Sequence, residues 1–146
     1  QTLSKAWGLA GLRLGMAFAS EAIIGILDKV KPPYNINTAT QELVLKALEE
    51  VGQVNDMIKI IVNMREALAN VFRKMPTVEK VYPSDANFLL VKIADARAVY
   101  DFLLTQQIVV RDRSSVELCE NCLRITIGTE KENTLLVDAM QAWYNR

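Results

Sequence analysis

The chain is 146 residues long and carries 17 basic and 17 acidic side chains, so its formal net charge is zero, and 51% of its residues are hydrophobic. That balance gives no electrostatic ground for binding nucleic acid or an anionic membrane, and the longest apolar runs are far too short to span a bilayer. Histidine is absent, which excludes Ser–His and Cys–His nucleophile pairs, imidazole bases and histidine metal ligands.

Residues 1–19 read as a loop followed by a short buried strand over Leu14–Ala19. Ser20 is placed to cap a helix carrying Ile23, Ile24 and Leu27. The run Lys31-Pro32-Pro33-Tyr34 stops it, because proline cannot continue a helix and restricts the residue before it. Thr38 and Gln41 have capping-box spacing for a second helix reaching about Val51. Gly52 is expected to separate it from a long helix over 53–75, ended by Pro76. Val54, Met57, Ile61, Met64, Leu68, Val71 and Met75 alternate at three and four, as in a coiled-coil seam. Ile58, Ile60, Val62 and Phe72 widen that stripe, which favours an ordinary helix packed on a core.

After Pro76 the pattern changes. Val78–Tyr82 reads as a strand, Pro83-Ser84-Asp85 as a turn and Asn87–Ile93 as a second strand. Asp95 caps a helix with Val99, Phe102 and Leu103 inward, and Ile108–Arg111 is a further short strand. In Leu123–Ile127, Arg124 and Thr126 share one face, with Leu123, Ile125 and Ile127 on the other. Thr129 and Glu132 make a capping box for a last helix burying Leu135, Leu136, Ala139, Met140 and Trp143. This succession predicts an α+β fold, a small sheet with helices packed against it. Cys119-Glu120-Asn121-Cys122 lacks the further ligands of a zinc site, so no metal is expected and two reduced thiols are.

The chemistry concentrates in Thr2-Leu3-Ser4-Lys5-Ala6-Trp7-Gly8-Leu9-Ala10-Gly11-Leu12-Arg13-Leu14-Gly15. A lysine amine can condense with an aldehyde. A neighbouring hydroxyl and a guanidinium eight residues on can hold a phosphate. Glycines let the backbone pass close to a bulky ligand. The run resembles the lysine motif of the fold-type I pyridoxal-phosphate aminotransferases, and within them it is most similar to the histidinol-phosphate aminotransferases. Leu123-Arg124-Ile125-Thr126-Ile127-Gly128-Thr129 resembles the C-terminal arginine motif of the same family, and Val110-Arg111-Asp112 resembles the end of a short strand in the histidinol-phosphate enzymes.

The resemblance implies that Lys5 is the catalytic lysine and that Ser4 and Arg13 hold the phosphate of pyridoxal 5'-phosphate. It implies that Arg124 takes the substrate α-carboxylate and Arg111 the substrate phosphate. The implied reaction moves an amino group between L-glutamate and imidazole-acetol phosphate, giving 2-oxoglutarate and L-histidinol phosphate, in a cytoplasmic homodimer. Tyr34 and Asn35 are interface candidates on the same ground. In that family the lysine lies past the middle of a longer chain. The expectation is therefore a C-terminal portion, with residues 1–51 from the large cofactor-binding domain and 52–146 forming the small domain, inactive by itself. Residues 1–50 are expected to look truncated, with Met16, Phe18 and Ile23 exposed, disordered or buried against another copy. Two rivals stay open: another enzyme of the same fold, such as threonine-phosphate decarboxylase or an aromatic aminotransferase, and a stand-alone α+β interaction module.

Overall fold

A computed structural model describes residues 1–146, and the chain divides into two compact units, Gln1–Ile58 and Lys59–Arg146. The first unit opens with a looped segment. The strand expected over Leu14–Ala19 does not form; Gly15 alone pairs, in an isolated antiparallel bridge to Thr2. A strand exists only where a neighbour satisfies its backbone groups, and the other residues of this stretch form no strand pairing. Met16 and Phe18 are accordingly exposed.

Helix α1 (Glu21–Val30) starts at Ser20 and ends at Lys31, before the two prolines. None of its residues is buried, and Ile23, Ile26, Leu27 and Val30 face outward. The cap of α2 (Thr38–Glu49) is Asn37, not Thr38. Asn37 Oδ1 accepts from the Thr40 N–H at 2.8 Å, and Gln41 Nε2 reaches back to the Ile36 carbonyl at 3.0 Å. Asparagine ranks at or above threonine as a cap. The break between α2 and α3 (Val51–Phe72) falls at Glu50, and Gly52 lies within the first turn of α3. The residues buried in this unit are Leu3, Thr40, Val44 and Val54.

In the second unit α3 buries Leu68, Ala69 and Phe72, with Met75 just beyond its end. Val71 stays exposed. The helix therefore presents a broad core-facing stripe, as Phe72 and its neighbours imply, and no narrow seam. A four-stranded sheet follows, built from β1 (Val78–Val81), β2 (Phe88–Ile93), β3 (Arg111–Asp112) and β4 (Cys122–Thr126). The strands lie in the order β1-β2-β4-β3, antiparallel throughout. An irregularity between Val78 and Lys80 interrupts the β1–β2 register, and there Glu79 pairs with Lys92 at 3.7 Å.

Period-two alternation sends Leu89, Val91 and Ile93 of β2, with Leu123 and Ile125 of β4, into one core. Helices α4 (Ala96–Thr105) and α5 (Glu130–Tyr144) complete it with Val99, Phe102, Leu103, Leu136, Ala139 and Met140. Asp95 Oδ1 caps α4 through the Ala98 N–H at 3.1 Å. Thr129 and Glu132 form the expected reciprocal box at the start of α5, and the Thr129 bonds hold the Glu132 carboxyl below its ordinary range. Trp143 packs on Phe102 with ring centroids 5.5 Å apart. Leu135, expected inside, is exposed. The strand expected over Ile108–Arg111 pairs only from Arg111 onward, because residues 108–110 diverge from β4. A cleft of about 470 Å³ opens there, lined by Val109, Val110, Thr126 and Ile127 among others. No helix is long and apolar enough to cross a membrane.

Adjacent leucines test the rotation of α5. Leu136→Ala should cost about 2–5 kcal/mol, as large-to-small changes in cores do. Leu135→Ala should change stability by less than about 0.5 kcal/mol, as surface changes do. Urea denaturation of both variants is the measurement, and equal losses would refute this placement.

Candidate active site

The lysine run folds into a loop tied at both ends. The Gln1 amino group donates to the Met16 carbonyl at 2.8 Å, and the Met16 N–H donates to the Gln1 carbonyl at 2.9 Å. Gly15 sits so close to this crossing that an added Cβ would lie 3.2 Å from the Gln1 oxygen. Leu3 is buried and its carbonyl accepts from the Leu9 N–H at 3.1 Å, which pins the loop interior.

Ser4 and Lys5 sit on one limb of this loop and Arg13 on the other. The Ser4 N–H donates to Thr2 Oγ1 at 3.1 Å, and the Thr2 hydroxyl donates to Ser4 Oγ at 3.0 Å. The Lys5 carbonyl accepts from the Gly8 N–H at 3.0 Å, and Gly8 takes φ +66°, a left-handed conformation that glycine adopts without penalty. Arg13 also takes a positive φ, at +54°, and its Nη1 donates to the Ala10 carbonyl at 3.1 Å. Lys5 is exposed and makes no ion pair. Tyr34, the interface candidate, is 98% exposed.

Arg111 and Arg124 lie in the other unit, on the sheet face opposite the core. The strand register sets them directly across from each other, Arg111 on β3 against Arg124 on β4. Leu90 of β2 stands on the far side of Arg124. Like charges opposed across a ladder destabilise the sheet unless something neutralises them. No carboxylate of the chain does so: neither arginine is in an ion pair, and the buried Arg124 Nε has no hydrogen-bond partner. Such a donor is open to an acceptor such as water or an anion, and Arg65 Nε is in the same position. The Arg124 guanidinium lies over the Phe88 ring, 5.1 Å from its centroid, which holds the plane without using its donors. Phe88 is itself set by a fixed turn. Ser84 Oγ donates to the Phe88 carbonyl at 2.6 Å, and Arg65 of α3 donates through Nη1 to the Ala86 carbonyl at 3.0 Å.

Asp112 does not pair with its neighbour Arg111. Its Oδ1 accepts from the Ser114 hydroxyl at 2.6 Å and the Ser114 N–H at 2.8 Å, and its Oδ2 lies 3.9 Å from Arg97 of α4. The Ser114 hydroxyl and N–H bonds, helped by the Arg97 charge, hold the Asp112 carboxyl below its ordinary 3.8 against a smaller upward push from burial. The end of β3 is thereby anchored while Arg111 stays free. Cys119 and Cys122 are free thiols, and no cluster of metal-ligating side chains exists. Sequence reading did not single out Phe88 or Asp112. Their roles depend on register and on a contact with another helix.

The chain thus carries an unpaired lysine on a glycine loop with a hydroxyl and an arginine, and two unneutralised arginines on an α+β sheet. An amine of this kind can condense with a carbonyl, and free guanidinium groups can hold anions. The chain belongs to the aminotransferase class I and II family, whose model matches residues 1–140. It is 50% identical over 143 residues to histidinol-phosphate aminotransferase from Cytophaga hutchinsonii, covering 98% of this chain and 41% of that protein. The chain therefore spans about two-fifths of the curated relatives it matches. Its fold matches the crystal structure of the histidinol-phosphate aminotransferase from Clostridium acetobutylicum with a TM-score of 0.89 at 23% identity, over 98% of this chain and 44% of that one. The L-threonine-O-3-phosphate decarboxylase from Porphyromonas gingivalis superposes with a TM-score of 0.86 at 22% identity, over 99% and 46%.

Acid unfolding tests the Asp112 anchor. A carboxyl with a depressed folded-state pKa adds stability that is complete above about 3.8, its ordinary value, and is lost as pH falls through the lower folded-state value. The wild-type chain should lose stability more steeply than Asp112→Asn below that point. Parallel pH profiles of urea stability would show that the anchor contributes nothing.

Proposed function

We propose that the protein containing this chain transfers an amino group between L-glutamate and imidazole-acetol phosphate, producing 2-oxoglutarate and L-histidinol phosphate. The observation that carries this reading is the opposed pair Arg111 and Arg124, two cations with no acidic partner in the chain. It is supported by close sequence similarity to proteins named histidinol-phosphate aminotransferase. In this reading residues 1–51 belong to a larger cofactor-binding domain and 52–146 form the small domain. The enzyme works as a cytoplasmic homodimer, with Tyr34 and Asn35 near the boundary between copies.

The residues present fit pyridoxal 5'-phosphate. The loop carries an unpaired amine, a hydroxyl and a guanidinium, the groups that an aldehyde bearing a phosphate requires. When bound, the cofactor supplies a carbon that accepts the amino group and a conjugated ring that takes up the electron pair released from the substrate Cα–H bond. Ser4 and Arg13 hold its phosphate. Lys5 would hold it through the side-chain amine, and that amine would serve as the base for the proton on the substrate Cα. Arg124, its plane fixed by Phe88, grips the glutamate α-carboxylate with two parallel N–H donors. Arg111, one strand further out, takes the phosphate of the second substrate. A guanidinium accepts either anion, so one site serves both half-reactions.

The test is a coupled assay on the full-length enzyme with glutamate and imidazole-acetol phosphate. Lys5→Ala should lower kcat by about 10²–10⁴-fold while leaving the fold intact. Arg124→Ala should lower kcat/KM for glutamate about 10–100-fold, the worth of a charged hydrogen-bonded contact. Arg111→Ala should weaken the phosphorylated substrate more than glutamate. Borohydride reduction of the holoenzyme should fix the cofactor on Lys5, an outcome an interaction module cannot give. Release of carbon dioxide from O-phosphothreonine, with no transfer to imidazole-acetol phosphate, would assign the protein to the decarboxylases instead.

A further inference from the structure

The segment between β3 and β4 ends in Cys119-Glu120-Asn121-Cys122, which the transfer reaction does not use. The Cys122 N–H donates to the Cys119 carbonyl at 3.0 Å, closing a tight turn over the four residues. Such a turn brings its first and last Cα atoms within about 7 Å, close to the roughly 4.4–6.8 Å over which disulfides usually form. Asn121, at φ +57°, supplies the left-handed residue that the turn needs. The turn is held from outside as well, because the Arg113 N–H donates to the Cys122 carbonyl at 2.8 Å and the Cys119 N–H donates to the Val116 carbonyl at 3.0 Å. The two thiols differ in access. Cys119 is half-buried and Cys122 fully buried, its Sγ 3.6 Å from the Glu120 carbonyl.

We propose that Cys119 and Cys122 form a redox-modification site, oxidised by a peroxide to an intrachain disulfide and returned to dithiol by a small-molecule thiol. The more accessible Cys119 thiolate attacks one peroxide oxygen, the O–O bond breaks, and the departing hydroxide takes up a proton as water. Cys122 sulfur then displaces hydroxide from the oxidised Cys119 sulfur, its thiol proton leaving with that hydroxide as a second water. Two thiol hydrogens and two electrons pass to the peroxide, and one S–S bond forms. Burial pushes the Cys122 thiol up, with the nearby Cys119 adding to the rise, so Cys122 is the resolving partner and not the first to react. The bridge closes at the first residue of β4, two residues before Arg124 and on the same side of the strand.

The experiment treats the reduced chain with hydrogen peroxide and then alkylates it under denaturing conditions. The dithiol should take two alkyl groups and the oxidised chain none, with an intact mass lower by two hydrogens and full recovery after dithiothreitol. Cys122→Ser should stop at a sulfenic acid on Cys119 that dimedone captures, and circular dichroism will establish that this variant is folded. Two alkyl groups after oxidation, a bridge joining two chains, or higher oxides on Cys119 beside a free Cys122 would each overturn the proposal. The readout is the bond itself, so a failed transferase assay would not touch it.

Discussion

The register of β4 between β2 and β3 governs the second unit. A strand's side chains alternate with period two, so a slip of one residue would drive Arg124 into the core and turn Leu123 and Ile125 outward. Burial of Leu89 and Val91 opposite those residues forbids the slip. The same pairing that packs the core therefore fixes Arg124 against Arg111 on the other face. Core and site are two sides of one ladder. The Phe88 ring, at the start of β2, joins them: its strand neighbour Leu89 is buried, while Phe88 itself lies under the guanidinium.

Much of this was legible where the signal was local. Alternation in Asn87–Ile93 and Leu123–Ile127, the Asp95 cap and the Thr129–Glu132 box each depend on side chains a few residues apart. The lysine run was legible as a motif because several residue types recur at fixed spacing. What escaped was decided by partners distant in sequence. Leu14–Ala19 has the composition of a strand, but a ladder requires a neighbour. Residues 108–110 leave β4 for reasons no local pattern carries. Thr38 read as the cap, and the geometry at Ile36 and Thr40 gives that place to Asn37 instead. Arg111 and Arg124 were each visible, but their opposition was not, because register is a property of two segments.

The two units differ in how their apolar residues are used. In the second, leucine, valine and isoleucine from three strands and three helices converge on one cluster. In the first, α1 buries nothing, and Phe18, Ile26 and Val30 are more than half exposed. Its local devices are the crossing at Gln1 and Met16, the Asn37 cap and the turn at Gly8. Such devices set backbone direction, whereas apolar clusters supply most of the free energy. Lys5 lies in the first unit, and Arg111 and Arg124 in the second.

An anion held by the opposed arginines, as the proposed function has it, would make the second unit a thermodynamic sensor of that ligand. Their mutual repulsion burdens the folded state and vanishes in the unfolded chain, where the two strands separate. An anion that settles between them removes that burden and binds only the native form. By mass action its affinity then appears as added resistance to unfolding, growing with the logarithm of its concentration. Oxyanions as simple as phosphate and sulfate fall within reach of this coupling, so the melting temperature of the domain becomes a gauge of which anions the strand pair accepts.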